Sequence, residues 1–163
     1  MSEVTVGPRQ RVRVDYRQFY LMPFNVDATL DPAWRGRLLA PSEDGHSVIV
    51  LTGCASGPVL VTVRSLDTPP APLVESMDGW QVGVEDTVDV DGKLNVVCWE
   101  PTEDTYEAFT PNKPGPHRVR VLARGRAEHY DHVVEEATEE YDISIWPTDG
   151  AAPRLSLGDD GVT

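Results

Sequence analysis

Apolar and polar residues alternate in three short runs of the chain, strictly so at the start of the first. The alternation occupies residues 11–21 (RVRVDYRQFYL), 117–125 (HRVRVLARG) and 141–146 (YDISIW). A period of two indicates half-buried β-strands, with Val12, Val14 and Tyr16 together on the inward face of the first run and Arg118 and Arg120 on an outward face of the second. We expect the inward residues to share one core: Val12, Val14, Val119, Val121, Ile143 and Ile145.

Turn signals separate further apolar runs. Residues 46–54 (HSVIVLTGC) and 59–65 (VLVTVRS) flank ASGP, which predicts a hairpin or neighbouring strands of a meander. Residues 81–90 and 93–100 flank the dipeptide Asp-Gly, a strong two-residue hairpin signal.

One short helix is compatible with this pattern. In DPAWRGRLLAP, Asp31 suits the N-cap and Pro32 the first helical position. Residues 101–116 form a proline-rich acidic excursion, and we expect the tail from about 148 to 163 to be flexible. The predicted fold is all-β: an antiparallel β-sandwich of about seven or eight strands with at most one short helix, as a single domain over residues 1–163.

The charge is acidic and unevenly distributed. The 163 residues contain 14 Lys and Arg against 27 Asp and Glu, a net charge of −13. Residues 1–40 hold six arginines and four acids, so the other 123 residues carry −15. Such a field repels nucleic acid and anionic membranes and favours a basic protein partner. The alternative is that the charge serves solubility alone.

Few features of the sequence indicate the cellular compartment of the protein. No run of about 18 apolar residues predicts a membrane helix, and MSEVTVGPRQRVRVDY lacks the apolar core of a signal peptide. Cys54 and Cys98 lie in strand-like runs without a CxxC neighbour. We therefore predict a cytoplasmic protein with two buried free thiols and no structural zinc site.

Residues 128–147 read EHYDHVVEEATEEYDISIWP. On a helix, His129, His132 and Glu136 would share a face, a spacing that metal ions can use. However, the segment has no apolar stripe to hold a helix against a core. We predict no metal site, but an exposed acidic loop through about Glu139 followed by a core strand from Tyr141.

The sequence gives little support for a calcium site or a catalytic site. Residues 89–100 have the length of a calcium-binding loop, but their glycine stands at the fourth place instead of the sixth. No catalytic motif or phosphate-binding glycine loop is present, and Cys54 has the apolar flank of a buried thiol. We predict no catalytic residues and no cofactor.

The acidic runs are the remaining candidates. Aromatic residues lie in or beside them: Trp80, Trp99, Tyr106, Phe109 and Tyr130, of which the two tryptophans are expected in the core. Acids interleaved with aromatics suit capture of a basic protein. The candidate partner-binding residues are Glu103, Asp104, Glu107, Glu135, Glu136, Glu139 and Glu140. The predicted function is a non-enzymatic binding module of inhibitor or immunity type; the alternatives are a ligand-binding protein or enzyme with a pocket between the sheets, and a structural subunit of an assembly.

Two stretches also resemble a known family. They are Tyr16-Arg17-Gln18-Phe19 within VDYRQFYL, and the Gly-led strand GPHRVRV that a Tyr-Asp-Ile-Ser-Ile strand follows. Both are similar to the competence protein J family, small bacterial inhibitors of a DNA-entry nuclease. The resemblance implies a cytoplasmic β-sandwich that binds a protein such as a nuclease or toxin. It transfers no site residues, and the loops at 101–116 and 125–138 are longer than the family pattern.

Overall fold

A computed structural model of the chain describes residues 4–23, 28–98 and 106–158. The strands of this part are β1 (Val4–Val6), β2 (Gln10–Val14), β3 (Gln18–Met22), β4 (Leu39–Pro41), β5 (Val48–Leu51), β6 (Gly57–Leu66), β7 (Val82–Val90), β8 (Leu94–Val97), β9 (Tyr106–Phe109), β10 (Gly115–Arg124), β11 (Glu140–Pro147) and β12 (Leu155–Leu157). Two 3-10 turns, η1 (Pro32–Trp34) and η2 (Leu73–Ser76), complete the elements. No helix among the described residues is long and apolar enough to cross a membrane.

The strands form two sheets. The larger has the order β1-β6-β11-β10-β7-β12, with β2 also paired to β6, and the smaller has the order β4-β5-β3-β8-β9. All pairs are antiparallel except β6 with β11. The all-β sandwich predicted from alternation is therefore confirmed, with more strands than expected.

The core lies between the sheets and contains the residues that alternation placed inward. Each is at most 1% exposed, and all belong to one apolar cluster: Val12, Val14, Val119, Val121, Ile143 and Ile145. Phe19 of the smaller sheet meets Tyr141 of the larger edge to face at 5.5 Å between ring centroids. Such contacts between the inner faces join the two layers.

The predicted pairing of neighbouring strands is wrong at two turns. The strands on either side of ASGP are β5 and β6, which belong to different sheets, and so do β7 and β8 on either side of Asp91-Gly92. In both cases the chain crosses from one layer to the other. Each strand still buries one face in the same core, so the alternation is identical to that of a hairpin.

The run 11–21 is likewise two strands. The chain leaves β2 in the larger sheet, turns at residues 15–17 and enters β3 in the smaller sheet. Two other boundaries also differ from expectation. The excursion 101–116 contains β9, which pairs with β8, and the last long strand begins at Glu140, one residue before Tyr141.

The outer face of the larger sheet is covered, which alternation did not predict. Arg118 and Arg120 point away from the core but are only 5% and 4% exposed, beside the equally buried Glu85. Carbonyl groups from the η2 region and from the C-terminal segment accept their hydrogen bonds. The predicted flexible tail thus contains β12, which pairs with β7.

Predictions from local sequence were correct for η1 and for the two cysteines but wrong for Trp80. η1 begins as expected, because the Asp31 side chain accepts a hydrogen bond from Ala33 N at 3.0 Å. Cys54 and Cys98 are buried thiols outside any disulfide, as predicted. Trp80 is only half-buried, with the Arg124 guanidinium 4.5 Å from its ring centroid, so its core placement was wrong. Trp99 lies outside the described residues.

Candidate functional site

Three connections between strands meet at one end of the sandwich. They are the turn 15–17, the segment 52–56 between β5 and β6, and the segment 125–139 between β10 and β11, and we call their joint surface the loop end. Backbone hydrogen bonds join them: Arg17 N to Ala55 O at 3.0 Å, Ala55 N to His132 O at 2.8 Å, Asp131 N to Gly53 O at 2.8 Å and Val134 N to Ser56 O at 2.9 Å. The long acidic segment is therefore held against the sandwich.

Two glycines allow this close approach. A Cβ atom on Gly53 would lie 1.7 Å from the carbonyl oxygen of Arg126. Gly125 has φ of +86°, and a Cβ there would lie 2.1 Å from the carbonyl oxygen of Thr138. Only glycine fits such contacts, so both residues set the path of the acidic segment.

The turn 15–17 has an unusual backbone. Tyr16 and Arg17 have φ of 55° and 59°, and Gln18 N donates to Asp15 O at 3.2 Å. Two consecutive left-handed residues are typical of a type I′ turn, which Asn and Gly normally occupy. Asp131, at φ of 60°, is the third non-glycine residue with positive φ in the described part of the chain. All three lie at the loop end, and surrounding contacts must offset their strain.

Arg17 supplies those contacts. Its guanidinium donates to the hydroxyl of Tyr130, lies 5.2 Å from the centroid of that ring, and is 3.9 Å from Asp131 Oδ1. Ser56 Oγ donates to Asp15 Oδ1 at 2.7 Å. The turn is thus fastened to both neighbouring segments.

Two large hydrophobic side chains are exposed at the loop end. Tyr16 is 70% exposed and Val133 is 73% exposed, each among the most exposed large hydrophobic residues described. The exposed acids of the segment 125–139 are Glu128, Asp131, Glu135 and Glu136. Its only Lys or Arg, Arg126, is buried. The segment therefore exposes four carboxylates together with Val133, and the Arg11 guanidinium donates to the carbonyl oxygen of Glu135 at 3.4 Å.

An open groove of about 640 Å³ runs beside Tyr16. The polar residues that line it are Arg13, Asp15, Arg17, Ser56 and Asp131. The groove carries both signs of charge, in contrast to the acidic segment. It can receive a partner's side chain and orient it by hydrogen bonds.

Of the predicted partner-binding residues, Glu135 and Glu136 are exposed at the loop end. Glu139 is a correction, because its side chain is 1% exposed and not part of the surface. Its oxygens accept hydrogen bonds from Gly53 N at 2.8 Å, Cys54 N at 2.6 Å and Tyr141 Oη at 2.5 Å. The carboxylate satisfies two backbone donors that would otherwise be buried without partners.

The other predicted residues are not gathered at the loop end. Glu140 is half-buried on β11 and forms ion pairs with Arg124 at 2.6 Å and Arg9 at 3.6 Å. Glu107 is exposed, but it lies on the edge strand β9, 3.7 Å from Lys93 Nζ. Glu103 and Asp104 lie outside the described residues.

The surroundings of Glu139 also bear on Cys54. Burial, and next the neighbouring Glu139 carboxylate, raise the pKa of the thiol to about 12. A thiol with such a pKa is protonated at neutral pH and is a poor nucleophile. His129 and His132 lie 6.5 Å apart by ring centroids, and no three His, Cys, Asp or Glu side chains in the described ranges are grouped so as to hold a metal ion.

Most of the loop end escaped prediction from sequence. Alternation placed Tyr16 inward with Val14, which is wrong, since Tyr16 is 70% exposed. The chain turns there, and nothing in the residue types of Tyr16 and Arg17 marks a left-handed turn. Tyr130 lies beside the acidic run in the sequence, whereas nothing around Val133 predicts its exposure. The glycines at 53 and 125 were the available signal, but their partners are distant in sequence.

No protein-family model matches the chain, and no curated protein sequence does so. Two solved structures are similar to it. ComJ from Bacillus subtilis, described as an inhibitor of the DNA-degrading activity of NucA, has a TM-score of 0.61 at 12% identity over 90% of this chain and 99% of that one. The protein described as crocagin biosynthetic gene J has a TM-score of 0.55 at 18% identity over 90% of this chain and 98% of its own. The chain thus shares the fold of ComJ, as the resemblance to the competence protein J family implied.

Proposed function

We propose that the chain is a non-enzymatic, acidic protein-binding module of inhibitor or immunity type, and that its target is a basic protein such as a nuclease or toxin. The observation that carries the proposal is the loop end, where strained and fastened backbone exposes Tyr16 and Val133 and where the segment 125–139 exposes four carboxylates. Exposed anchors and exposed carboxylates suit a basic protein surface.

The fold of a nuclease inhibitor supports the same proposal. A nuclease must present positive charge to phosphates, and an acidic protein can occupy that surface with carboxylates. The net charge of −13 attracts such a target over a distance. The two buried free thiols support a cytoplasmic site of action.

In the proposed complex, some residues of the loop end affect association with the target and others affect dissociation. Glu135 and Glu136 are exposed and act on encounter, because rim charges change mainly the association rate. Tyr16 and Val133 act after docking, because apolar surface that becomes buried at an interface slows dissociation. Backbone hydrogen bonds to the segment 52–56 hold Val133 and its neighbours in place before binding, which reduces the entropy lost on docking.

The test uses a basic nuclease or toxin encoded beside the gene for this chain. The purified chain should inhibit it stoichiometrically. Glu135→Lys with Glu136→Lys should slow association about tenfold at low salt. The matched control reverses two exposed acids elsewhere, Glu75→Lys with Asp78→Lys, and should change the rate much less. Equal rates for the two double variants would exclude steering by the loop end.

The anchors are tested by dissociation. Val133→Ser should speed dissociation severalfold, and Val74→Ser is its control because Val74 is 69% exposed on η2, outside the loop end. If both serine variants dissociate alike, or the wild-type chain leaves the target active, the proposed surface or function is wrong.

A further inference from the structure

Tyr16 and Arg17 line a second concavity besides the open groove. Its volume is about 230 Å³, which is below the ~300–1,000 Å³ of typical small-molecule clefts and suits one side chain of a partner. We call it the arginine pocket, because Arg17 and Arg35 are the charged residues that line it, and no carboxylate of the described residues does so. Its other lining residues are neutral and include Gln18, Thr52 and Tyr130.

Arg35 differs from the other arginines of the fold. Among the residues that the structure describes, it is the only arginine whose side chain forms no hydrogen bond, ion pair or ring contact. Exposed arginines elsewhere have a carboxylate, as Arg9 has Glu140 at 3.6 Å and Arg64 has Asp142 at 2.9 Å. In a chain with 27 acidic and 14 basic residues, an arginine without a carboxylate of its own is therefore unexpected.

The backbone holds both arginines in place. Arg35 is the C-cap residue of η1, its N–H closes that turn, and Gly36 follows at a φ of 81°, where a side chain would be strained. Thr52 N donates to the carbonyl oxygen of Arg17 at 2.8 Å, while the Tyr130 hydroxyl and ring contact the Arg17 guanidinium. Because these positions are fixed before any partner arrives, less entropy is lost on binding.

Docking of a protein on the loop end would change the surroundings of this pocket. Tyr16, which is 70% exposed, also lines it, so a target that covers Tyr16 withdraws the two guanidinium groups from water. Asp131 lies 3.9 Å from Arg17 but lines the open groove instead, and Arg35 has no carboxylate at all among the described residues. A guanidinium that loses water without gaining an anion weakens the complex.

The planar fork of N–H donors on a guanidinium matches the two oxygens of a carboxylate. We propose that the arginine pocket receives an Asp or Glu side chain of the protein target. The inference rests on the proposed function and adds one acidic contact to an otherwise basic surface of the target. Arg35 is then the residue that distinguishes targets with this carboxylate from proteins that are merely basic.

The experiment on the complex uses the sign of the charge effect. A target that is only basic is attracted more strongly when the chain loses positive charge. Lys93→Glu, at an exposed position outside the loop end, should therefore bind at least as tightly as wild type. Arg35→Glu changes the net charge by the same amount but should speed dissociation about tenfold, because it sets carboxylate against carboxylate. If Arg35→Glu dissociates no faster than Lys93→Glu, the proposal is overturned.

A second experiment needs no target. Sodium acetate is added to the full chain while the side-chain Nε–H resonances of Arg17 and Arg35 are followed, with sodium chloride at equal ionic strength as reference. Both resonances should move saturably with acetate and not with chloride, whereas Arg64, already paired with Asp142, should not move. No movement with acetate, or movement with inorganic phosphate alone, would contradict a carboxylate site. If acetate binds but the chain leaves the target active, the proposed function fails and the carboxylate site remains.

Discussion

Two regions of the molecule combine arginine, carboxylate and aromatic side chains in nearly the same geometry. On the outer face of the larger sheet, Glu85 lies between Arg118 and Arg120, and Arg120 is 5.4 Å from the centroid of the Trp146 ring. At the loop end, Arg17 lies beside Asp131 and 5.2 Å from the centroid of the Tyr130 ring.

The regions differ in what covers them. Side chains of the first are at most 6% exposed, because the η2 region and the C-terminal segment lie over them and supply carbonyls from Ala71, Ala152 and Pro153. In the second, Arg17 and Asp131 are 39% and 65% exposed. Buried charges must keep every partner, whereas exposed pairs contribute little to stability. The same kinds of side chain are therefore shielded from water in one place and open to it in the other.

The largest expected effect comes from removing Glu85. Glu85→Ala leaves two buried guanidinium groups without their carboxylate, and should lower the free energy of unfolding by about 3–5 kcal/mol. Denaturant titration measures this, with Glu135→Ala at the loop end as control, expected within about 0.5 kcal/mol of wild type. Similar losses of stability for the two variants would refute the idea that burial under the η2 region and the C-terminal segment makes Glu85 important for the fold.

Glu139→Gln tests the one acidic side chain of the segment 125–139 that is buried. The amides of Gly53 and Cys54 donate to different oxygens of the carboxylate, and one of these becomes an NH2 group in Gln, so one buried donor loses its acceptor and the loss should be about 1–3 kcal/mol. Hydrogen exchange at these two amides should accelerate as well. Glu136→Gln, on the exposed side of the same segment, should change neither quantity.

The strained turn makes stability and binding change in opposite directions. Asn tolerates the left-handed φ of Tyr16 better than Tyr does, so Tyr16→Asn should raise the free energy of unfolding by about 0.5–1 kcal/mol while weakening the proposed target binding. Tyr16→Ala loses the ring without relieving the backbone and is the control. If the Asn variant is no more stable than the Ala variant, the turn stores no strain of this kind.

These regions also show how far sequence reasoning reaches. Alternation found the inward residues of β2, β10 and β11 correctly, because burial between two sheets imposes a period of two on every strand. It could not assign strands to sheets, since a turn within one sheet and a crossing between sheets join the same kinds of runs. Asp91-Gly92 is the clearest case.

The burial of outward-facing residues is even harder to predict from sequence. Arg118 and Arg120 have the pattern of a solvated face, and their burial depends on β12 and η2, which come from distant parts of the chain. Glu139 stands among exposed glutamates of the same type, and only its approach to Gly53 distinguishes it. Conversely, the exposure of Glu135 and Glu136 agrees with the acidic run in which they lie.

The smallest expected change in stability comes from His46, whose charged partners are exposed to solvent. His46 Nδ1 lies 2.7 Å from the Asp89 carbonyl oxygen, with Asp89 and Asp91 carboxylates at 3.8 and 4.0 Å and Asp44 nearby. The backbone hydrogen bond to Asp89, and next the carboxylates of Asp91, Asp44 and Asp89, raise the pKa of His46 above its ordinary 6.5. A raised pKa in the folded state adds stability that is complete below pH 6.5 and disappears as pH rises through the folded value. The stability of wild type relative to His46→Gln should therefore fall across that window, by far less than Glu85→Ala costs, because solvent screens the exposed pairs. If the free energy of unfolding changed as much as it does in Glu85→Ala, ion pairing would stabilise charges in this fold even without burial from solvent.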